Sequence, residues 1–107
     1  MRQVVESILD QQETNRVELI DLNTLYPIDW RTLLQSVKRT GKLLIVEPDV
    51  QYGGIGAEIA ATVAESHPGV VVRRLGGPRE TIPASREGQA RMLPSRDQIL
   101  EAIRGLV

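Results

Sequence analysis

The stretch that decides the fold reads Tyr52-Gly53-Gly54-Ile55-Gly56-Ala57-Glu58-Ile59-Ala60-Ala61. Three glycines within four positions let the backbone reach positive φ and approach its neighbours closely, which predicts a tight turn. Apolar residues then recur at helical spacing, at Ile55, Ile59 and Val63, and the alanines between them add little bulk. We therefore expect the turn to open a closely packed helix that is buried at the centre of the domain.

Apolar runs and helical patterns alternate on both sides of this turn. Strands are predicted at residues 17–22, 43–46 and 70–75, and amphipathic helices at about 4–12, 29–41, 55–66 and 95–106. The run at 43–46 has no polar interruption, which is typical of a strand covered by helices on both faces. Because strands and helices alternate with short connections, the sequence predicts a three-layer α/β/α fold with a mostly parallel open sheet.

Several helix ends carry capping signals. Asp29 is a predicted N-cap, and Gly41 follows the last turn of the same helix. Ser95 and Gln98 have the spacing of a capping box before the last helix. The single histidine, His67, precedes Pro-Gly, which favours a helix cap over a metal ligand. The long connection at 76–94 lacks periodicity, so it is a candidate contact surface.

Composition places the chain among globular domains. Its 107 residues suit one domain, with 41% hydrophobic and 25% charged residues. No run approaches the roughly 18 apolar residues that span a membrane, and the N-terminus has no secretory apolar segment. Without cysteine there is no disulfide, zinc–thiolate site or thiol nucleophile. These features predict a cytoplasmic protein that does not bind membranes.

Charge is distributed unevenly along the chain. Residues 1–69 hold 6 basic and 10 acidic side chains, a net charge of −4, whereas residues 70–107 hold 7 and 4, a net charge of +3. The basic side chains of the second part are all arginines, which could bind carboxylates or another anion, although a solvated surface is the simpler interpretation. Nucleic acid is not an expected partner, because phenylalanine is absent and tyrosine is confined to Tyr26 and Tyr52.

The glycine turn could hold a phosphate at a helix N-terminus. Neither a Lys-Ser nor a Lys-Thr pair follows the turn, and Ile59 stands where the dinucleotide fingerprint needs a third small residue. Glu58 would also oppose an anion, so close packing is the favoured role of the glycines. Glu47 and Asp49 follow the central strand, where α/β sheets bind ligands, but no partner for acid–base chemistry is visible. We therefore predict no catalytic, cofactor-binding or metal-binding residue.

Three motifs together suggest a family. They are Val17-Glu18-Leu19-Ile20-Asp21-Leu22-Asn23-Thr24-Leu25-Tyr26-Pro27-Ile28-Asp29, Lys42-Leu43-Leu44-Ile45-Val46-Glu47 and Gly53-Gly54-Ile55-Gly56-Ala57-Glu58-Ile59-Ala60-Ala61. In this order and spacing, over residues 3–107, they resemble the C-terminal domain of transketolase-type enzymes. The likeness is greatest to the beta subunit of 2-oxo acid dehydrogenases.

The resemblance implies a role in assembly. Enzymes of this family use thiamine diphosphate and magnesium, which lie between two other domains, so this chain is expected to bind neither. The implied partners are a second copy in a homodimer, the catalytic domains or subunits of the parent transferase or oxidoreductase, and the acyltransferase core. The candidate turn and interface residues are Gly53, Gly54, Gly56, Ala57, Glu58 and Ala61. A chain of this kind would not be catalytically competent alone.

Two departures from the family pattern lead to further expectations. The segment at 79–86 is basic where the family has an acidic, proline- and aromatic-containing segment. The resemblance therefore does not extend to the specificity with which the family docks the acyltransferase core. The strand that precedes the first helix in the family is absent, so residues 1–107 are interpreted as an N-terminally truncated domain, from a split gene or a fragment. The sheet would then close by pairing residues 17–22 with 43–47, or be completed in a homo-oligomer, which we prefer. The alternatives are a free-standing α/β domain that binds a small anion or nucleotide at residues 53–56, and a relic without a ligand.

Overall fold

A computed structural model describes residues 17–22, 28–50, 52–77 and 93–106, without the side chains at 49 and 50. The helices are α1 (Trp30–Thr40), α2 (Ile55–Ser66) and α3 (Arg96–Leu106). The strands are β1 (Lys42–Val50) and β2 (Val71–Gly77). The helix predicted at 4–12, the turn at 23–27 and the connection from 78 to 92 lie outside the described residues.

The two described strands form a parallel sheet. Their register runs from Lys42 beside Val71 to Val46 beside Leu75, and the ladder becomes irregular before Val50. Because each parallel pair needs a crossover, α2 connects the carboxyl end of β1 to the amino end of β2. The glycine turn therefore lies at the carboxyl end of β1, as the sequence predicts.

Hydrophobic clusters cover both faces of this sheet. One cluster joins buried residues of α1 and α2, which are Leu33, Val37, Ile59 and Val63. The other is centred on Ile99 and Ile103 of α3. Alternate residues of β1 contribute to the two clusters, as the period of a strand requires. The described part of the chain thus has helices on both faces of a parallel sheet, and the expected three-layer α/β class is confirmed.

The predicted caps are present. Asp29 accepts the backbone N–H of Thr32 at 3.2 Å and its hydroxyl at 2.7 Å. Gly41 ends α1 with φ of 75°. Ser95 and Gln98 form the reciprocal capping box, with bonds of 2.8 and 3.1 Å. Local sequence signals therefore set the ends of α1 and the start of α3.

The prediction of a strand at 17–22 is wrong for the described structure. These residues contribute side chains to both hydrophobic clusters but form no strand. A strand needs a hydrogen-bonded neighbour as well as β-favouring residues, and the described sheet consists of β1 and β2. The direct pairing of 17–22 with 43–47, the less favoured of the two predicted ways to close the sheet, is therefore not formed in the described structure, and completion in a homo-oligomer stays a prediction. Among the described residues, no helix is long and apolar enough to cross a membrane.

Candidate functional site

The three glycines of the turn have different structural roles. Gly53 has φ of 73°, in the left-handed region that side chains disfavour. Gly54 is the N-cap of α2 with extended backbone, and it provides no side-chain cap. Gly56 lies in the first turn of α2 and is buried. Of these three glycines only Gly53 has a positive φ, so the prediction that the turn uses positive φ is confirmed at this position alone.

Gly56 is required because β1 passes very close to it. A Cβ atom at position 56 would lie 2.9 Å from Oε1 and 3.1 Å from Cδ of Glu47, and 3.1 Å from Cγ2 of Ile45. Contacts under 3.0 Å essentially do not occur for real Cβ atoms. The absence of a side chain at position 56 therefore allows the N-terminus of α2 to pack directly on Glu47.

Glu47 is the buried acidic residue at the centre of this site. It lies two positions beyond Ile45 on β1, so its side chain emerges on the same face, toward α1 and α2. The residue is 5% exposed. Its Oε2 accepts the backbone N–H of Gly56 at 3.0 Å. The carboxyl group thus supplies from β1 the cap that Gly54 cannot provide, at the positive end of the α2 dipole.

The second oxygen of Glu47 is buried without a partner. Oε1 has no hydrogen bond within the described part of the chain. It lies 2.9 Å from the point where a Cβ atom at position 56 would stand. Leaving such an acceptor unpaired is costly, which makes the Glu47–Gly56 contact a sensitive point of the structure.

This geometry argues against an anion at the turn. The Gly56 N–H is already bound by a carboxylate, and the Ala57 N–H donates to the Gly54 carbonyl at 3.0 Å. Glu58 is exposed in the first turn of α2 and adds a second negative charge. The glycine turn at 53–56 therefore does not fit a phosphate or the diphosphate of thiamine diphosphate. The described residues also contain no group of three or more side chains suited to a metal ion such as magnesium.

The alanine face of α2 is not buried as expected. Ile59 and Val63 face the sheet, whereas Ala61 and Glu58 are exposed and Ala57 is half-buried. The prediction that α2 is the buried central helix is thus wrong for one of its faces. Because of the helical period, Ile59 and Val63 lie on one side of α2 and Ala57 and Ala61 on the other. No described helix or strand covers the side with the alanines. Ala57, Glu58 and Ala61 therefore define an accessible face, here called the alanine face.

A second polar cluster was not predicted from the sequence. Glu18 accepts a hydrogen bond from the Ser36 hydroxyl at 3.0 Å and pairs with Arg39. The Arg39 guanidinium, followed by the Ser36 hydroxyl, lowers the pKa of the Glu18 carboxyl. These residues join 17–22 to the last turns of α1. Nothing in their spacing of 18 and 21 positions signals the contact, so only the tertiary structure could show it.

Comparison with known proteins identifies similar sequences. The family model for "Transketolase, C-terminal domain" matches residues 2–99. The pyruvate dehydrogenase E1 component subunit beta of Acholeplasma laidlawii is 36% identical over 110 residues, covering 99% of this chain and 33% of that protein. The corresponding subunit of Rickettsia bellii is 33% identical over 97 residues, covering 88% and 30%.

A mitochondrial 2-oxoisovalerate dehydrogenase subunit beta from Chaetomium thermophilum shares 47% identity over 49 residues. This match covers 46% of the chain and 10% of that protein. The chain spans about a third of the length of the pyruvate dehydrogenase subunits that it matches.

Proposed function

Since the chain belongs to the transketolase C-terminal domain family, we propose that it is a non-catalytic assembly domain of a thiamine-diphosphate-dependent enzyme. The named relatives are beta subunits of 2-oxo acid dehydrogenases, which favours that branch over transketolase itself. In this proposal residues 1–107 form a single domain. A cytoplasmic location stays a prediction from the sequence.

The proposed non-catalytic role rests on the burial and the hydrogen bonding of Glu47. Glu47 is the described carboxylate placed where open α/β sheets bind ligands, but it is 5% exposed and bonded to the Gly56 N–H. A general acid or base must reach a substrate within hydrogen-bond distance. Glu47 is instead engaged in holding α2 against β1. Thiamine diphosphate and magnesium would accordingly be held by other parts of the parent enzyme.

The alanine face is the proposed surface for homodimer formation. Small side chains let two helices approach closely, and Ala61 and Ala57 lie on the side of α2 that points away from its own core. The catalytic subunits or domains are the other proposed partners. The acyltransferase core is a further proposed partner.

The proposal is tested with the full chain, alone and together with the remaining part of the Acholeplasma laidlawii beta subunit. We expect the two polypeptides to purify together. Calorimetry with thiamine diphosphate and magnesium should show no binding to the chain alone. Stoichiometric micromolar binding by the isolated chain would overturn the non-catalytic assignment, and failure to associate would overturn the assembly role.

The homodimer is tested by sedimentation of Ala61→Arg. A charged side chain in the middle of the alanine face should dissociate the dimer. Gln35→Arg is the matched control, because Gln35 is an exposed residue of α1 outside that face. A dimer that survives Ala61→Arg, or a wild-type chain that sediments as a monomer at high concentration, would contradict the proposed interface.

A further inference from the structure

The outer side of α1 carries a row of basic and polar side chains. Arg31, Gln35 and Lys38 are exposed, and their spacing of four and three positions places them in line along the helix. The buried residues Leu33 and Val37 lie on the opposite side of α1, in the cluster against the sheet. We call Arg31, Gln35 and Lys38 the basic row.

The outer side of α2 carries a matching acidic row. Glu58, Ala61 and Glu65 are exposed and are spaced by three and four positions, so they also lie in line. Ile59 and Val63 lie on the buried side of the same helix. The acidic row shares Glu58 and Ala61 with the alanine face and extends it to the last turn of α2.

The two rows agree in length and in direction. Seven positions separate Arg31 from Lys38 and Glu58 from Glu65, which is about 10.5 Å along a helix. Both helices pack on the same face of the sheet. Each runs antiparallel to β1, because α1 is joined to the start of β1 through Gly41 and α2 returns from its carboxyl end. The rows are therefore parallel, with opposite charges at equal spacing.

The charges of both rows are available to a partner. The ion pair at the end of α1 joins Arg39 to Glu18, and neither residue belongs to a row. Within the part of the chain that the structure describes, Arg31, Lys38 and the two glutamates of the acidic row form no ion pair. A partner with the reversed charge pattern would find all four side chains exposed.

We propose that a second copy of this chain is that partner, with the acidic row of each copy docked on the basic row of the other. The inference deepens the homodimer of the proposed function and rests on it. A two-fold axis parallel to the helices places α2 opposite the partner's α1, running in the same direction, and repeats the contact by symmetry. Glu58 then faces the partner's Arg31, and Glu65 faces the partner's Lys38.

Charge complementarity selects this arrangement over direct packing of α2 on α2. Two acidic rows that meet in parallel bring Glu58 to the partner's Glu58, and two antiparallel rows bring it to the partner's Glu65. Either contact places like charges together, which opposes association. The small side chain of Ala61, in the middle of the acidic row, leaves room for the partner's Gln35.

The experiment measures the dimer Kd of the full chain and of charge-reversed variants by sedimentation equilibrium. Glu65→Lys and Lys38→Glu should each raise the Kd by about tenfold or more, because symmetry turns one reversal into two contacts between like charges. An equimolar mixture of these two variants should form a heterodimer, since opposite charges face each other at both of its contacts. All of the reversed side chains are exposed, and circular dichroism checks that each variant is folded.

Matched double variants with the same net charge test the direction of the rows. Glu65→Lys combined with Lys38→Glu in one chain should restore the Kd, because the pair is re-formed with its signs exchanged. Glu65→Lys combined with Arg31→Glu should not restore it, because Arg31 lies at the other end of the basic row. Gln35→Glu should weaken the dimer, whereas Gln35→Arg adds a positive charge opposite the acidic row and should not.

The docking of the rows and the homodimer itself fail in different ways. A wild-type dimer that tolerates the single reversals, a mixture that forms no heterodimer, or restoration by Arg31→Glu in place of Lys38→Glu would overturn the docking but leave the homodimer standing. A wild-type chain that stays monomeric at high concentration would overturn both.

Discussion

Replacing Gly56 with alanine should destabilise the chain, although alanine is the better helix former. The added Cβ would lie 2.9 Å from Glu47 Oε1 and 3.1 Å from Ile45 Cγ2, so α2 or the carboxyl group must move. Overpacking costs about 1–3 kcal/mol, and alanine regains about 0.5–1 kcal/mol of helix propensity. A net loss of about 1–2 kcal/mol is expected, which lowers the Tm of a domain of this size by about 4–8 °C per kcal/mol.

The assay is urea denaturation with Gly105→Ala as the matched control. Gly105 also lies in a helix, but an added Cβ there meets nothing within 4 Å. Gly105→Ala should therefore raise the free energy of unfolding slightly, while Gly56→Ala lowers it at an unchanged denaturant slope. Equal effects of the two substitutions would refute the argument from close packing.

A double-mutant cycle locates the cause of the loss. Glu47→Ala alone should destabilise the chain, because it removes the cap on the Gly56 N–H. In that background Gly56→Ala should cost less than in the wild type, since the nearest clashing atom has gone. Additive losses would mean that the clash with Glu47 is not what makes Gly56 necessary.

Three further predictions concern single side chains. The hydroxyl and the backbone N–H of Thr32 lower the pKa of the Asp29 carboxyl below its usual 3.8. The ionised carboxyl therefore stabilises the fold above pH 3.8, and this stabilisation is lost as the pH falls below that value. In a titration of Tm against pH, Asp29→Asn should reduce the fall of Tm at acid pH. Hydrogen bonds from Arg39 and Ser36 likewise lower the pKa of Glu18 below 4.5. The wild type should lose stability as the pH falls below 4.5, and Glu18→Gln should not show this loss. Thermal melts at pH 3 to 7 measure the difference. Ala61 is exposed, so Ala61→Leu should change the free energy of unfolding of a dilute sample by no more than about 0.5 kcal/mol; a clear loss of stability at low concentration would mean that the alanine face is covered within one chain.

Local chemistry in the sequence determined much of the fold. Asp29, Gly41 and the Ser95–Gln98 pair act on backbone groups within a few positions, so the ends of their helices could be predicted from spacing alone. The apolar run at 43–46 and the glycine turn indicated a covered strand that leads into a helix. The family could also be inferred, because three motifs in order are far more specific than one.

Only the tertiary structure decided how these elements meet. The sequence does not show that Gly56 makes room for a carboxyl group rather than for a phosphate, because that depends on how closely β1 passes α2. It also suggested that the alanines of α2 are buried, since small residues permit close packing but do not require it. Residues 17–22 have the composition of a strand and form none, because a strand is defined by hydrogen bonds to a neighbour and no residue's own preference can supply that neighbour.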